Sequence, residues 1–415
     1  MERVLQPVLA GTVLAVVGFA SSFAVVLAGL RAVGADEEQA ASGLLALCLA
    51  MGATAIVLGL RYRMPLSIAW STPGAALLAA SGHRQHGYRE ALGAFLVTGL
   101  LLLLAGLSRR FTRLLEAIPA PLASAMLAGV LLPLCLAPVR AVVELPAAAA
   151  PVVAVWAVLH RLARRWAVPG ALAACAAVLL LTRHHPAHGT PLLPSLTATA
   201  PALSAGAVAG IAVPLFVVTM ASQNIAGVSM LASFGYRAPL RPVLATTGLA
   251  TMAGAPFGAH AVNLAAITAA LAAGPDAHPD PDRRWIASVT GGAVHLLLGL
   301  GAGVTVSLAA SSPPLLVETV AGLALLGTLG SALRAAVADP AVRDASVAAL
   351  VVTASGVAPL GAGSALWGLL AGLAFHALLG GGRRRAAPPE EGAAEGRATE
   401  KGRTEEGTTE LGARP

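Results

Sequence analysis

The sequence predicts an all-α, polytopic membrane protein of about fourteen transmembrane segments in two inverted seven-segment repeats, the third and tenth segments being broken. Three observations carry this. Hydrophobic residues make up 57% of the 415 and charged residues 11%, with a mean hydropathy of +0.78, too apolar for a soluble domain. Apolar runs long enough to cross a bilayer recur along the chain. Two of the runs open on polar and small residues and then give way to a short Ala/Leu helix: "SIAWSTPGAALLAASG" (Ser67–Gly82) and "GAHAVNLAAITAALAAG" (Gly258–Gly274).

In order, the first half gives Pro7–Leu30, Ala41–Leu60, the broken Ser67–Ser81, Ala91–Leu107, Ala117–Leu136, Pro146–Leu159 and Ala167–Leu181. The first run is too long for a signal peptide and lacks a cleavage site followed by a soluble domain, so it is expected to be a membrane helix. The second half gives Ala202–Met220 (extendable to Leu231), Pro239–Ala253, the broken Gly258–Ala273, Trp285–Ala302, Pro313–Leu333, Ala345–Val357 and Gly363–Leu379. The 45 glycines and few aromatics suit close helix packing in lipid. With the N-terminus inside, about eighteen loop arginines fall inside and about five outside, a bias that an odd helix count would destroy. Both termini are therefore expected on the cytoplasmic side of the cell membrane. Residues 381–415 have few large apolar side chains and mixed charge, and read as a disordered cytoplasmic tail.

The broken segments lie about 190 residues apart, third in each half. Seven segments per repeat invert the second copy, and interrupted segments at matching positions point to a transporter binding site. In the first, Ser67 to Trp70 reads as extended, Ser71 or Thr72 as a helix cap, and Pro73 as a first-turn residue. In the second, Gly258 to Val262 reads as extended, Asn263 as the cap and Leu264 to Ala273 as the half-helix. Two helix N-termini facing each other would suit a carboxylate or other anion; the plain alternative is a Pro/Gly kink. Gln223 and Asn224, deep in "TMASQNIAGVSM", suit ligand contacts or interhelical hydrogen bonding.

Of the ionisable residues at depth, His260 stands beside the broken segment and is the candidate for proton coupling, since an unperturbed histidine titrates near pH 6.5. His295 and His376 read as packed and hydrogen-bonded, and Glu318 as hydrated near a helix end. The candidate substrate contacts on these grounds are Ser71, Thr72, Gln223, Asn224, His260 and Asn263.

Cys48, Cys135 and Cys175 sit in apolar runs without metal-ligand spacing, so neither metal nor cofactor is expected. No nucleophile–base pair or phosphate loop argues for an enzyme. The sequence pI of about 10.3 reflects loop arginines rather than nucleic acid binding.

The stretches "PLSIAWSTPGAALLA", "PLFVVTMASQNIAGVSML", "FGAHAVNLAAITAAL" and "GPDAHPDPDRRW", in this order, closely resemble the BenE family of benzoate/proton symporters, over nearly the whole chain up to Leu379. The resemblance implies the fold of uracil transporters and prestin-like anion transporters. A core domain (1–115 and 201–310) would move against a gate domain (116–200 and 311–380) as an elevator. Matched motif by motif, Ser67 to Thr72 would line one side of the substrate, with Trp70 as an aromatic contact. Relatives of the uracil type often carry a carboxylate where this chain has His260 or Gln223, a departure that argues against a uracil-like ligand, since a carboxylate would repel benzoate. The expected activity is uptake of benzoate or a similar aromatic acid with a proton across the lipid bilayer. An uncoupled organic-anion channel or exchanger is the alternative, and a homodimer is left open.

Overall fold

The computed structural model describes residues 2–81, 87–108, 119–181, 193–266, 268–359 and 363–383. The first half holds α1 (Glu2–Ala32), α2 (Glu37–Tyr62), β1 (Ile68–Trp70), α3 (Thr72–Ser81), α4 (Tyr88–Leu107), α5 (Ala120–Glu144), α6 (Pro146–Leu162) and α7 (Ala167–Leu181). A 3-10 turn, Arg164–Trp166, joins the last two. The second half holds α8 (Ala205–Ser233), α9 (Leu240–Gly254), β2 (Val262–Leu264), α10 (Ala269–Ala273), α11 (Trp285–Leu300), α12 (Ala302–Ala310), α13 (Pro314–Ala336), α14 (Arg343–Ala354) and α15 (Ser364–Arg383). Met1–His376 form one unit; of the second, Ala377–Pro415, only the end of α15 is described. The helix reaches Arg383, so residues 381–383 are not part of an unstructured tail, and 384–415 lie outside the described residues.

The protein is a mostly helical, polytopic membrane protein. Among the described residues seven helices are long and apolar enough to cross a bilayer: α1, α2, α4, α5, α8, α13 and the run Arg164–Leu181 that contains α7. The helices α11 and α12 form a further pair, bent by 52° at Gly301. Large apolar side chains such as Val143, Leu180 and Leu181 are exposed, as on a lipid-facing surface.

Local sequence accounts for the element ends. Asp36 accepts from the Gln39 N–H (2.8 Å) while the Gln39 side chain accepts from the Asp36 N–H (3.1 Å), a reciprocal cap that starts α2. Prolines sit in the first turn of α5, α6 and α13, where no hydrogen bond is lost. The helix α8 runs past Met220 and carries two π-helical stretches, Val208–Ala212 and Met220–Ile225.

Packing depends on small residues. The helix α11 lies along α1 and α2, α9 along α4, and α13 along α5. Gly52 and Gly292 meet backbone to backbone: a Cβ on Gly52 would stand 2.7 Å from the Gly292 carbonyl oxygen. Such approaches let membrane helices gain van der Waals contact where lipid supplies no hydrophobic drive.

Candidate functional site

The two broken segments meet. The strands β1 and β2 pair antiparallel, with Ile68 opposite Leu264, Ala69 opposite Asn263 and Trp70 opposite Val262. The ladder extends at both ends, through Ser71 N–H to the Ala261 carbonyl (3.0 Å) and Ala265 N–H to the Ser67 carbonyl (2.8 Å). The extended backbone of each segment therefore finds its partners in the other half of the chain, the condition under which lipid tolerates it. Gly258, four residues before β2, packs the entry to this strand closely against α4 and α2. Its φ of +99° is open to glycine, and a Cβ there would stand 2.8 Å from the Tyr88 hydroxyl oxygen.

The helix α3 starts as the sequence suggests. Ser71 is the cap: its Oγ accepts from the Gly74 N–H (3.1 Å) and its carbonyl from the Ala75 N–H (2.8 Å). Thr72 is the first helical residue and Pro73 the second. The Thr219 hydroxyl donates to the same Ser71 Oγ (2.8 Å), tying α8 to the cap. The second half-helix differs from expectation. It is only Ala269–Ala273, and its preceding residue, Thr268, makes no side-chain cap bond.

Asn263 is not a helix cap; it is the middle residue of β2. With its amide oriented to satisfy both ends, Asn263 Oδ1 accepts from the Ser71 N–H (2.9 Å) and Nδ2 donates to the Leu264 carbonyl (2.9 Å). The expected pair of facing N-termini is thus one ten-residue helix, α3, opposed by strand and turn backbone.

The amides of α8 serve the outer edge of β2. Asn224 Oδ1 accepts from the Leu264 N–H (3.0 Å), and its Nδ2 donates to the Thr219 carbonyl (3.4 Å). Gln223 Oε1 accepts from the Ala266 N–H (3.3 Å), with no protein acceptor for its Nε2 among the described residues. Both belong to the second π-helical stretch, a distortion frequent at functional sites. His260 is fully buried: its Nε2–H donates to the Ser71 carbonyl (3.1 Å), Phe95 meets the ring edge-on, and Nδ1 has no partner. The buried Ser67 hydroxyl also lacks a partner.

A cavity of about 530 Å³ adjoins this junction. Of the residues expected in the site, Trp70, Thr72 and Gln223 line it; Ser67, Ser71, Asn224, His260 and Asn263 stand behind as its frame. Trp70 is fixed by its Nε1–H, which donates to Ser22 Oγ (2.9 Å), and by a tilted contact with Phe19. The lining also includes Trp156, His160, Val168, Leu323 and Gly327 of α6, α7 and α13, and Arg164 and Arg165 of the 3-10 turn. Among the described residues no Asp or Glu lines the cavity, and no cluster of His, Cys, Asp and Glu could hold a metal ion.

Several lining residues are not evident in the sequence. Ser21 and Ser22 interrupt the first apolar run, which was the available signal. His295 is both packed and lining: it is buried, with Nδ1–H donating to the Gly291 carbonyl (2.8 Å), and borders the cavity. Glu318 is half-buried and outside the lining. The motif "GPDAHPDPDRRW" acts at a distance. Arg284 is buried and donates to the carbonyls of Ala273, the last residue of α10 (2.7 Å), and of His278 (2.7 Å), so it holds the end of the half-helix.

The architecture and sequence have close parallels. The bicarbonate transporter BicA, described as the transmembrane domain of a cyanobacterial protein, superposes with a TM-score of 0.60 over 90% of this chain and 98% of that one, at 15% identity. SLC26A9 superposes with a TM-score of 0.61 over 90% of this chain and 65% of that one, at 13% identity. At these identities the likeness shows the fold alone. By sequence, the inner membrane protein YdcO of Escherichia coli is 39% identical over 89% of this chain and 95% of its own length. A benzoate membrane transport protein of Acinetobacter baylyi is 29% identical over 90% of this chain and 95% of its own length. The model of the family described as "BenE: Benzoate membrane transport protein" matches residues 3–378. The chain therefore belongs to the BenE family, and it is a membrane transporter rather than an enzyme.

Proposed function

We propose that the protein is a secondary active transporter that takes up benzoate or a similar aromatic carboxylate together with a proton. The observation that carries this reading is the composition of the cavity. The N-terminal turn of α3 enters it at Thr72 and Pro73, Trp70 supplies an aromatic face, Gln223 has donors to spare, and among the described residues no acidic side chain lines it. A helix N-terminus favours a carboxylate, and an apolar wall favours a ring. The family description and the name of the Acinetobacter relative support benzoate as the first substrate to test.

The transport cycle in this reading is an elevator, with fourteen segments in two inverted repeats and both termini cytoplasmic. The packing supports the repeat: α2 on α11 is mirrored by α9 on α4, as second with eleventh and ninth with fourth. The core would comprise α1–α4 with β1, and α8–α12 with β2; the gate would comprise α5–α7 and α13–α15. The cavity lies between these two sets of elements.

Proton coupling has a physical motive. Moving a carboxylate inward against an inside-negative potential costs about 2.3 kcal/mol per 100 mV, and a co-transported proton removes that cost. His260 is the proposed carrier, because it binds the carbonyl of the residue that caps α3 and has a free Nδ1. Binding of anion and proton would then reinforce one another, as linkage requires.

Proteoliposome uptake of labelled benzoate, with and without an imposed proton gradient, tests the reading. Accumulation should follow the gradient, and His260→Gln should keep exchange at equal pH while losing gradient-driven accumulation. Uptake indifferent to the gradient would instead indicate the uncoupled channel or exchanger.

A further inference from the structure

The cavity is lined not only by α3 but also by the last two turns of α6 and the 3-10 turn that follows. The helix α6 ends in Trp156 and His160, whose rings stack at 4.7 Å between centroids with 26° between planes. The 3-10 turn that follows presents Arg164 and Arg165. All four side chains line the cavity, both arginines are exposed, and among the described residues neither has an acidic partner. Arg161, three residues before Arg164, is also exposed but lies outside the lining.

Topology alone does not account for this arrangement. A positive-inside signal requires arginines in a loop and is indifferent to which way they face. Here two of the three arginines line a cavity that has no carboxylate among the described residues, together with a flat aromatic pair. Guanidinium groups bind carboxylates bidentately, and an aromatic face packs well against a second ring.

We propose that Trp156, His160, Arg164 and Arg165 form a vestibular binding station for an aromatic carboxylate, distinct from the α3 end of the same cavity. Arg164 and Arg165 hold the carboxylate, and the Trp156–His160 stack flanks the ring. The station rests on the reading that this cavity takes aromatic acids. In the proposed topology these arginines lie on the cytoplasmic side, so in uptake the anion passes from Thr72 and Gln223 to this station before it leaves the cavity. A cavity walled by low dielectric focuses such a field, so the effect is strongest at low ionic strength.

The test is equilibrium binding of radiolabelled benzoate to purified full-length protein at low and high salt. The double variant Arg164→Gln/Arg165→Gln should raise the Kd about tenfold at low salt, and clearly less at high salt where charges are screened. Arg161→Gln removes one charge from the end of α6 without removing a guanidinium that lines the cavity, and should raise the Kd clearly less than either single variant, Arg164→Gln or Arg165→Gln. Trp156→Leu leaves every charge in place and should weaken benzoate binding more than that of a non-aromatic carboxylate such as cyclohexanecarboxylate. If the arginine double variant does not insert, the tryptophan variant and Arg164→Lys/Arg165→Lys, which keeps the inside charge, carry the test. An unchanged Kd in the double and tryptophan variants, or an equal shift in Arg161→Gln, overturns the station. Absence of benzoate binding by the unaltered protein overturns the substrate reading instead.

Discussion

The two broken segments share a plan and differ in how each is held. The first turns from β1 directly into α3, ten residues long, with Ser71 as cap and Pro73 in the first turn. The second leaves β2 through a turn and makes only Ala269–Ala273, without a side-chain cap at Thr268. Strand β1 is held by its ladder and by α3. Strand β2 is held by the same ladder on one edge and by the Asn224 and Gln223 amides on the other. A ten-residue helix presents ordered N–H groups and a dipole, whereas a five-residue turn presents little of either. For the proposed site this means a division of labour: the first segment would supply the electrostatics and the second the backing.

The comparison can be broken most directly at the edge of β2. Asn224→Leu leaves the buried Leu264 N–H without an acceptor, which costs about 1–3 kcal/mol, so the thermal midpoint of the purified protein should fall together with uptake. Stability unaffected by this change would mean that β2 does not depend on α8. Next in size is Ser71→Ala, which removes the cap of α3 at a cost of about 0.5–2 kcal/mol. Binding of benzoate should weaken along with stability, because the helix end at the cavity frays. Ser22→Ala should be milder, about 0.5–1.5 kcal/mol, since it removes one hydrogen bond to Trp70; its readout is benzoate affinity, expected to fall as the indole loses its fixed orientation. The smallest effect is expected at Thr268→Ala, within about 0.5 kcal/mol in stability, because no cap bond is lost. A Thr268 variant as unstable as the Ser71 variant would make the two starts equivalent and end the contrast.

Much of the first segment is legible in sequence because its signals are local. Ser71, Pro73 and a run of helix formers specify cap, first turn and half-helix within a few residues. Asn263 misleads by the same logic. A polar residue ahead of an Ala-rich run suggests a cap, but its side chain is claimed by Ser71 from a strand about 190 residues earlier in the chain. Gln223 and Asn224 are conspicuous as amides in an apolar run, yet their partners, the N–H groups of Ala266 and Leu264, are invisible until the strand exists. Arg164 and Arg165 read as topology signals in sequence, since nothing local reveals that they face a cavity.

The sequence by itself determined that this chain lives in a bilayer, that most of it is helical, that two segments break at matching places, and, through its motifs, which family it belongs to. The first three follow from composition, hydrophobic run length and cap chemistry, each set by neighbours within a turn or two, whereas the family follows from the resemblance of its motifs alone. Only the tertiary structure decided that the breaks pair as β1 and β2, that His260 serves the Ser71 carbonyl rather than the cavity wall, and that Trp156 and the 3-10 turn line the cavity. The physical reason is that backbone N–H and C=O groups freed within a membrane must be satisfied by protein. Their partners here lie in the other half of the chain, at separations that no local pattern records.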